Sequence, residues 1–217
     1  MLNLKDANRG LAVDEYFALF VEEFGTQIER RDVPESTIAR YRHKLPDQLL
    51  EYWMEYGWGG YADGIFWIVN PQDYEPLLSY WLADTEFYDR DCYHVIARSA
   101  FGVLYVWGET SGYCLTISCP MARYTFRDSR FTGSQLDFGV KVFFSAMNAG
   151  SNDFGEMFVP AVRKLGRLKP DEMYGLVPAL ALGGSIELDN LRKVNTVEHL
   201  EFLSQLSPLR DWGFPDI

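Results

Sequence analysis

Apolar residues recur every three or four positions through Val13, Tyr16, Phe17, Phe20, Val21, Phe24 and Ile28, with Glu22 and Glu23 opposite. That period predicts an amphipathic helix over about 13–28. Pro46 suits the first turn of a second helix, whose buried stripe would be Leu49, Leu50, Trp53 and Met54 and whose end would be the GWGG run at 57–60. The unbroken apolar run GIFWIV at 64–69 reads as a buried strand. Asn70 followed by Pro71 makes an N-cap with proline at the first helical position, opening a helix that turns Tyr74, Leu77, Leu78 and Trp81 inward. Residues 93–98, 103–107 and 113–118 are rich in strand formers and divided by Gly102, Gly108 and Ser111-Gly112, the spacing of an antiparallel meander. Residues 137–147 and 153–165 read as helices, with Gly139, Gly155 and Pro160 blurring their ends. A last strand is expected at 191–194, and a capped helix at 196–206 with Val197, Leu200, Leu203 and Leu206 on its apolar side. Together these elements predict an α+β fold: a mixed sheet containing an antiparallel meander, flanked by helices, in two closely packed subdomains, 1–108 and 109–217.

Composition narrows the function classes. The 217 residues are 47% hydrophobic and 24% charged, enough for a sizeable core. No apolar run approaches the ~20 residues that cross a bilayer, and residues 1–10 lack the apolar stretch of a secretory signal, so a cytoplasmic location is expected. Three cysteines, Cys92, Cys114 and Cys119, are an odd set that fits reduced, mostly buried thiols better than a disulfide framework. A net charge of −11 would repel nucleic acid and anionic membrane, which argues against both as partners. That charge is concentrated. Residues 47–91 hold ten acids against the single base Arg90, interleaved with aromatic rings, so the segment must fold rather than trail as an acidic tail.

The chemistry-bearing residues form no strong catalytic set. Cys114 and Cys119 lack the second pair or nearby histidine of a zinc site. Asp89, Asp91 and His94 stand close enough in sequence to hold a metal, although a solvated loop followed by a strand histidine explains them as well. No nucleophile elbow, Walker or Rossmann pattern occurs, and neither a metal nor a cofactor is expected. The second helix says more: Asp47, Glu51 and Glu55 stand at i, i+4 and i+8, one exposed acidic ridge opposite Leu50, Trp53 and Met54. With Trp58, Tyr61 and Asp63, and with Asp84, Glu86, Asp89 and Asp91 of the following acidic loop, the ridge makes a candidate docking surface, acids steering a basic partner and rings anchoring it. The alternative is that the rings are core and the acids a solvated face.

The segment at 45–74 (LPDQLLEYWMEYGWGGYADGIFWIVNPQDY) resembles the GAD-like domain, through its L-P-x-x-L-L-x-x-W opening, its glycine- and tryptophan-rich turn and its G-x-F-W-x-V-N-P strand and cap. Residues 101–108 (FGVLYVWG), 174–184 (YGLVPALALGG) and 191–206 (LRKVNTVEHLEFLSQL) resemble the companion C-terminal domain of Tdi-type immunity proteins of type VI secretion. The first motif and the acidic character also bear a fainter likeness to the immunity superfamily related to yeast cell-wall regulators. The resemblance implies a mixed α and β fold and an antitoxin with no catalytic residues or cofactor, which binds and blocks a secreted antibacterial effector, often a DNase. A metal-dependent hydrolase using Asp89, Asp91 and His94, and a regulatory scaffold without a toxin partner, are the rival expectations.

Overall fold

The first helix begins where the Asp14 carboxylate accepts from the amides of Tyr16 and Phe17, and it stops at Gly25, whose φ of 72° favours glycine. In the computed structural model, which describes residues 14–213, this helix is α1 (Glu15–Phe24). Val13 lies outside the described residues. Ile28, expected on the helix, instead opens strand β1 (Ile28–Arg31), because Gly25 turns the chain first. Helix α2 (Glu35–Tyr41) follows, then α3 (Asp47–Tyr56), which starts after Pro46 and ends at Gly57. Leu49, Leu50 and Trp53 are buried as expected, but Tyr52 completes the buried arc, and Met54 is 58% exposed. At 100° per residue Met54 falls beside Asp47 and Glu51 rather than beside Leu49.

Strands β2 (Trp58–Tyr61) and β3 (Phe66–Ile68) come next. The Asn70 side chain then caps a 3₁₀ turn, Pro71–Tyr74, by accepting from the Gln72 amide, and the chain runs on into α4 (Glu75–Leu82). The expected meander is present as β4 (Tyr93–Ser99), β5 (Val103–Gly108) and β6 (Gly112–Ser118), extended by β7 (Arg123–Phe126). The remaining elements are α5 (Leu136–Ser145), α6 (Phe158–Leu165), β8 (Glu172–Leu176), β9 (Leu191–Asn195), α7 (Thr196–Ser204) and β10 (Arg210–Asp211). Helix α6 occupies only the second half of the expected 153–165 helix, since the chain around Gly155 takes positive φ at Phe154, Gly155 and Glu156.

One sheet of order β1-β2-β3-β4-β5-β6-β7-β10 spans the molecule, antiparallel throughout except for the parallel β7–β10 pair. It runs unbroken through the β5–β6 hairpin around residues 108–112. Its margins are brief: β1 is irregular, carries Glu29, Arg30 and Arg31 on exposed positions, and β10 has two residues. Strands β8 and β9 form a separate antiparallel pair. The architecture is α+β.

Adjacent residues on a strand face opposite ways, so Phe66 and Trp67 define the two faces of the large sheet. On the Phe66 side, α1 and α5 pack through a cluster of rings in which Phe20 lies 5.6 Å from Phe66 and 5.3 Å from Phe144, centre to centre. Phe17, Phe20 and Phe144 are fully buried, each worth about 1.5–3 kcal/mol relative to exposure. On the Trp67 side, the fully buried Arg98 guanidinium lies 5.1 Å from the Trp67 ring and donates to the carbonyls of Ser99, Pro170 and Glu172. Burial pushes its pKa down. The Tyr174 amide donates to the Ala100 carbonyl at 2.9 Å, so Arg98 and this bond fasten the small β8–β9 pair to the large sheet.

Candidate functional site

Helix α3 presents Asp47, Glu51 and Glu55 on one exposed face, as the i, i+4, i+8 spacing requires. Met54 borders them, an exposed apolar side chain at the edge of the acidic strip toward Leu50. The strip is held firmly from behind. The Gln48 amide donates to Asp137 Oδ1 at 2.9 Å, tying the first turn of α3 to α5. The Tyr52 hydroxyl donates to Asp14 Oδ1 at 2.8 Å, and Lys141 Nζ of α5 donates to Asp14 Oδ2 at 2.6 Å. Burial pushes the Asp14 carboxyl up, but the bonds from Lys141, Tyr52 and the Tyr16 amide outweigh it and hold the pKa below its ordinary value. Burial, followed by the bond to Asp14, pushes the Tyr52 phenol in the opposite direction, upward.

The other expected docking residues divide into three groups. Trp58 and Tyr61 are core, 5% and 2% exposed: every residue of β2 is buried between its neighbours in the sheet, so neither ring can anchor a partner from there. Asp63 is exposed and forms an ion pair with Arg167 at 2.9 Å. In the acidic loop Asp84, Glu86 and Asp89 face solvent, whereas Asp91 turns inward. Its carboxylate accepts from the amides of Cys92, Thr110 and Ser111 and from both hydroxyls, Ser111 Oγ at 2.7 Å and Thr110 Oγ1 at 3.0 Å. Burial raises its pKa, and these donors more than reverse that, leaving it below the usual carboxylate value. Asp91 is therefore the clamp of the β5–β6 hairpin, with its oxygens already engaged.

The loop is pinned by Phe87, fully buried against Tyr124 at 5.0 Å and Phe126 at 5.2 Å. Beside its acids the exposed rings are Tyr80 and Tyr88, 56% and 58% exposed. Neither stood out in the sequence; both neighbour the acids closely along the chain, which was the available signal.

Asp89, Asp91 and His94 do not assemble. His94 is buried with Nε2 2.9 Å from Glu109 Oε1, Asp91 is occupied by the hairpin turn, and Asp89 faces solvent. Among the described residues no group of three His, Cys, Asp or Glu side chains could hold a metal ion. Cys114 and Cys119 are buried, Cys92 is exposed, and burial pushes the thiols of Cys114 and Cys119 up, away from the reactive thiolate. No described helix is long and apolar enough to cross a membrane.

A second feature was not anticipated. The Phe66-side face of β5, β6 and β7 is hollowed beside α5 into a groove of about 1080 Å³. Its rings include Tyr105, Tyr113 and Phe143, and Arg123, Arg127 and Arg130 stand along its β7 side.

Residues 15–121 match the GAD-like domain, and residues 137–207 match the C-terminal domain of the type VI secretion system immunity protein Tdi1. No curated protein matches the chain. Among solved structures, the crystal structure of Atu4351 from Agrobacterium tumefaciens superposes with a TM-score of 0.79 at 23% identity, over 92% of this chain and 94% of that one. The likeness is one of fold, and it extends across both matched segments.

Proposed function

Because the chain belongs to the type VI secretion immunity proteins that join a GAD-like domain to a Tdi1-type C-terminal domain, we propose that it binds a cognate effector through its acidic face. The effector we infer is a nuclease, met in the cytoplasm and silenced by stoichiometric occlusion. The observation that carries the surface is the exposed strip of Asp47, Glu51 and Glu55, braced against α5. A nuclease must offer phosphate a positively charged groove, and a chain of net charge −11 is drawn to such a groove from a distance. The acids then set the association rate, while apolar and aromatic contacts, with Met54, Tyr80 and Tyr88 as the exposed candidates, slow dissociation. Asp84, Glu86 and Asp89, on a loop pinned by Phe87 to the sheet face opposite α5, add to the long-range negative field, whereas Asp63 is offset by its ion pair with Arg167. No bond is made or broken by the immunity protein.

Stopped-flow mixing of the purified chain with the effector tests this. The wild-type chain is expected to form a one-to-one complex that assembles faster at low salt. Reversing Asp47, Glu51 and Glu55 to Lys together is expected to slow association about tenfold or more at low ionic strength, with the melting temperature little changed because all three side chains are exposed. An unchanged association rate would reduce the strip to a solvated face, and inhibition that turns over substoichiometrically would replace occlusion with catalysis.

A further inference from the structure

The groove on β5–β7 has the opposite electrical character from the acidic strip. Period-2 alternation builds it: Val103, Tyr105 and Trp107 of β5, Thr116 and Ser118 of β6, and Arg123 and Thr125 of β7 with Arg127 just past its end share one face, while Leu104, Val106, Ile117, Tyr124 and Phe126 point the other way. The hollow opens because the middle of that face carries short side chains, Thr116, Ser118 and Thr125, between larger rings. Several floor hydroxyls are already engaged: the Tyr105 hydroxyl donates to Asn152 Oδ1 at 2.9 Å, and Tyr113 Oη lies 2.7 Å from Thr116 Oγ1, whereas the buried Trp107 Nε1 has no partner among the described residues. What remains is an apolar trough. Along one side Arg127 and Arg130 are exposed, and the carboxylate between them, Asp128, is already paired with Arg90 at 3.2 Å. A strongly acidic protein thus keeps a basic rim along one side of an apolar hollow.

We infer that this groove is a second contact site for the effector, and that it receives a segment of effector chain in which apolar side chains lie on the ring-lined floor and carboxylates meet Arg127 and Arg130. The inference rests on the immunity reading above and names a further part of the same partner. Two observations select a chain segment of that chemistry. The volume, about 1080 Å³, lies at or beyond the ~300–1000 Å³ of ordinary small-ligand pockets. The charge of the rim calls for an anionic occupant, against the sign of the rest of the surface. Helix α5 separates the two contact sites: Asp137 holds the first turn of α3, Lys141 meets Tyr52 of α3 through Asp14, and Gly139, Val142 and Phe143, with Ala146 at its end, line the groove. An effector engaging both must present positive charge to one side of α5 and negative charge to the other. That arrangement fixes its orientation and rejects partners of uniform charge.

The test uses the full chain and its cognate effector. Two variants alter exposed positions only: Arg127→Glu with Arg130→Glu, which reverses the rim, and Ala146→Trp, which fills the hollow from the end of α5. Each is expected to weaken the complex at least tenfold with the melting temperature preserved. A photo-crosslinking residue at position 146 is expected to capture an effector peptide containing both acidic and apolar residues, identified by mass spectrometry. Wild-type affinity in both variants, or a crosslinked peptide without acids, overturns the groove assignment and leaves the acidic face standing. Native mass spectrometry that finds the groove filled by a copurified acyl chain overturns it too. Failure of the wild-type chain to bind the effector at all overturns both readings.

Discussion

A single carboxylate, Asp91, accepts hydrogen bonds from three amides and two hydroxyls across the start of the β5–β6 hairpin. Replacing it with Asn removes the charge and one acceptor oxygen, and is expected to cost about 1–3 kcal/mol. The pH dependence has a definite sign. The native pKa is depressed, so the stabilisation is complete above the unfolded value and is lost as pH falls through the lower native one. Thermal denaturation of wild type and Asp91→Asn should therefore show a gap at neutral pH that closes in acid below the usual carboxylate range. A gap that persists there would assign the effect to shape alone. At this scale the sequence was readable for charge and much less so for burial. Helical spacing placed Asp47, Glu51 and Glu55 together, but nothing local distinguishes Trp58, sealed inside the sheet, from Tyr88 outside it. Burial depends on what crosses above a residue.

Two glycines allow the same backbone angle to be compared in two surroundings. Gly25 and Gly57 each end a helix with φ near 72°, but a Cβ on Gly25 would meet nothing within 4 Å, while one on Gly57 would lie 2.3 Å from the Arg31 carbonyl oxygen. Gly25→Ala should carry only the cost of the angle, about 1–3 kcal/mol in this glycine-only region, and Gly57→Ala distinctly more, with faster amide exchange along β1. Equal melting temperatures would show that β1 yields freely. Elements with a strong local period, α1, α3 and the β4–β6 meander, were visible in the sequence. Strand β10 was not, since two residues form a strand only because β7 lies alongside. The groove also escaped notice: its lining runs from Val103 to Trp212, and the only local trace was the alternation Arg123, Thr125, Arg127.

Across the whole molecule, the large sheet takes its strands from residues 28–126 and 210–211, while α5 of the second matched segment packs against α1 of the first and β10, just past the second, returns to β7. We expect scanning calorimetry to show one transition, with calorimetric and van't Hoff enthalpies agreeing, and two separated transitions would reveal independent units. The order of the α+β elements was accessible from patterning; their division into an eight-stranded sheet and a separate β8–β9 pair was not, because that depends on pairings between distant residues. The sheet's two brief margins have a consequence of their own. A backbone edge with vacant amides and carbonyls is a template on which identical chains can polymerise, and the hazard grows with expression level. Here one border is kinked and bears Glu29, Arg30 and Arg31, while the other stops after Arg210 and Asp211. A protective protein stockpiled before its poison arrives thus resists edge-to-edge polymerisation even at high concentration.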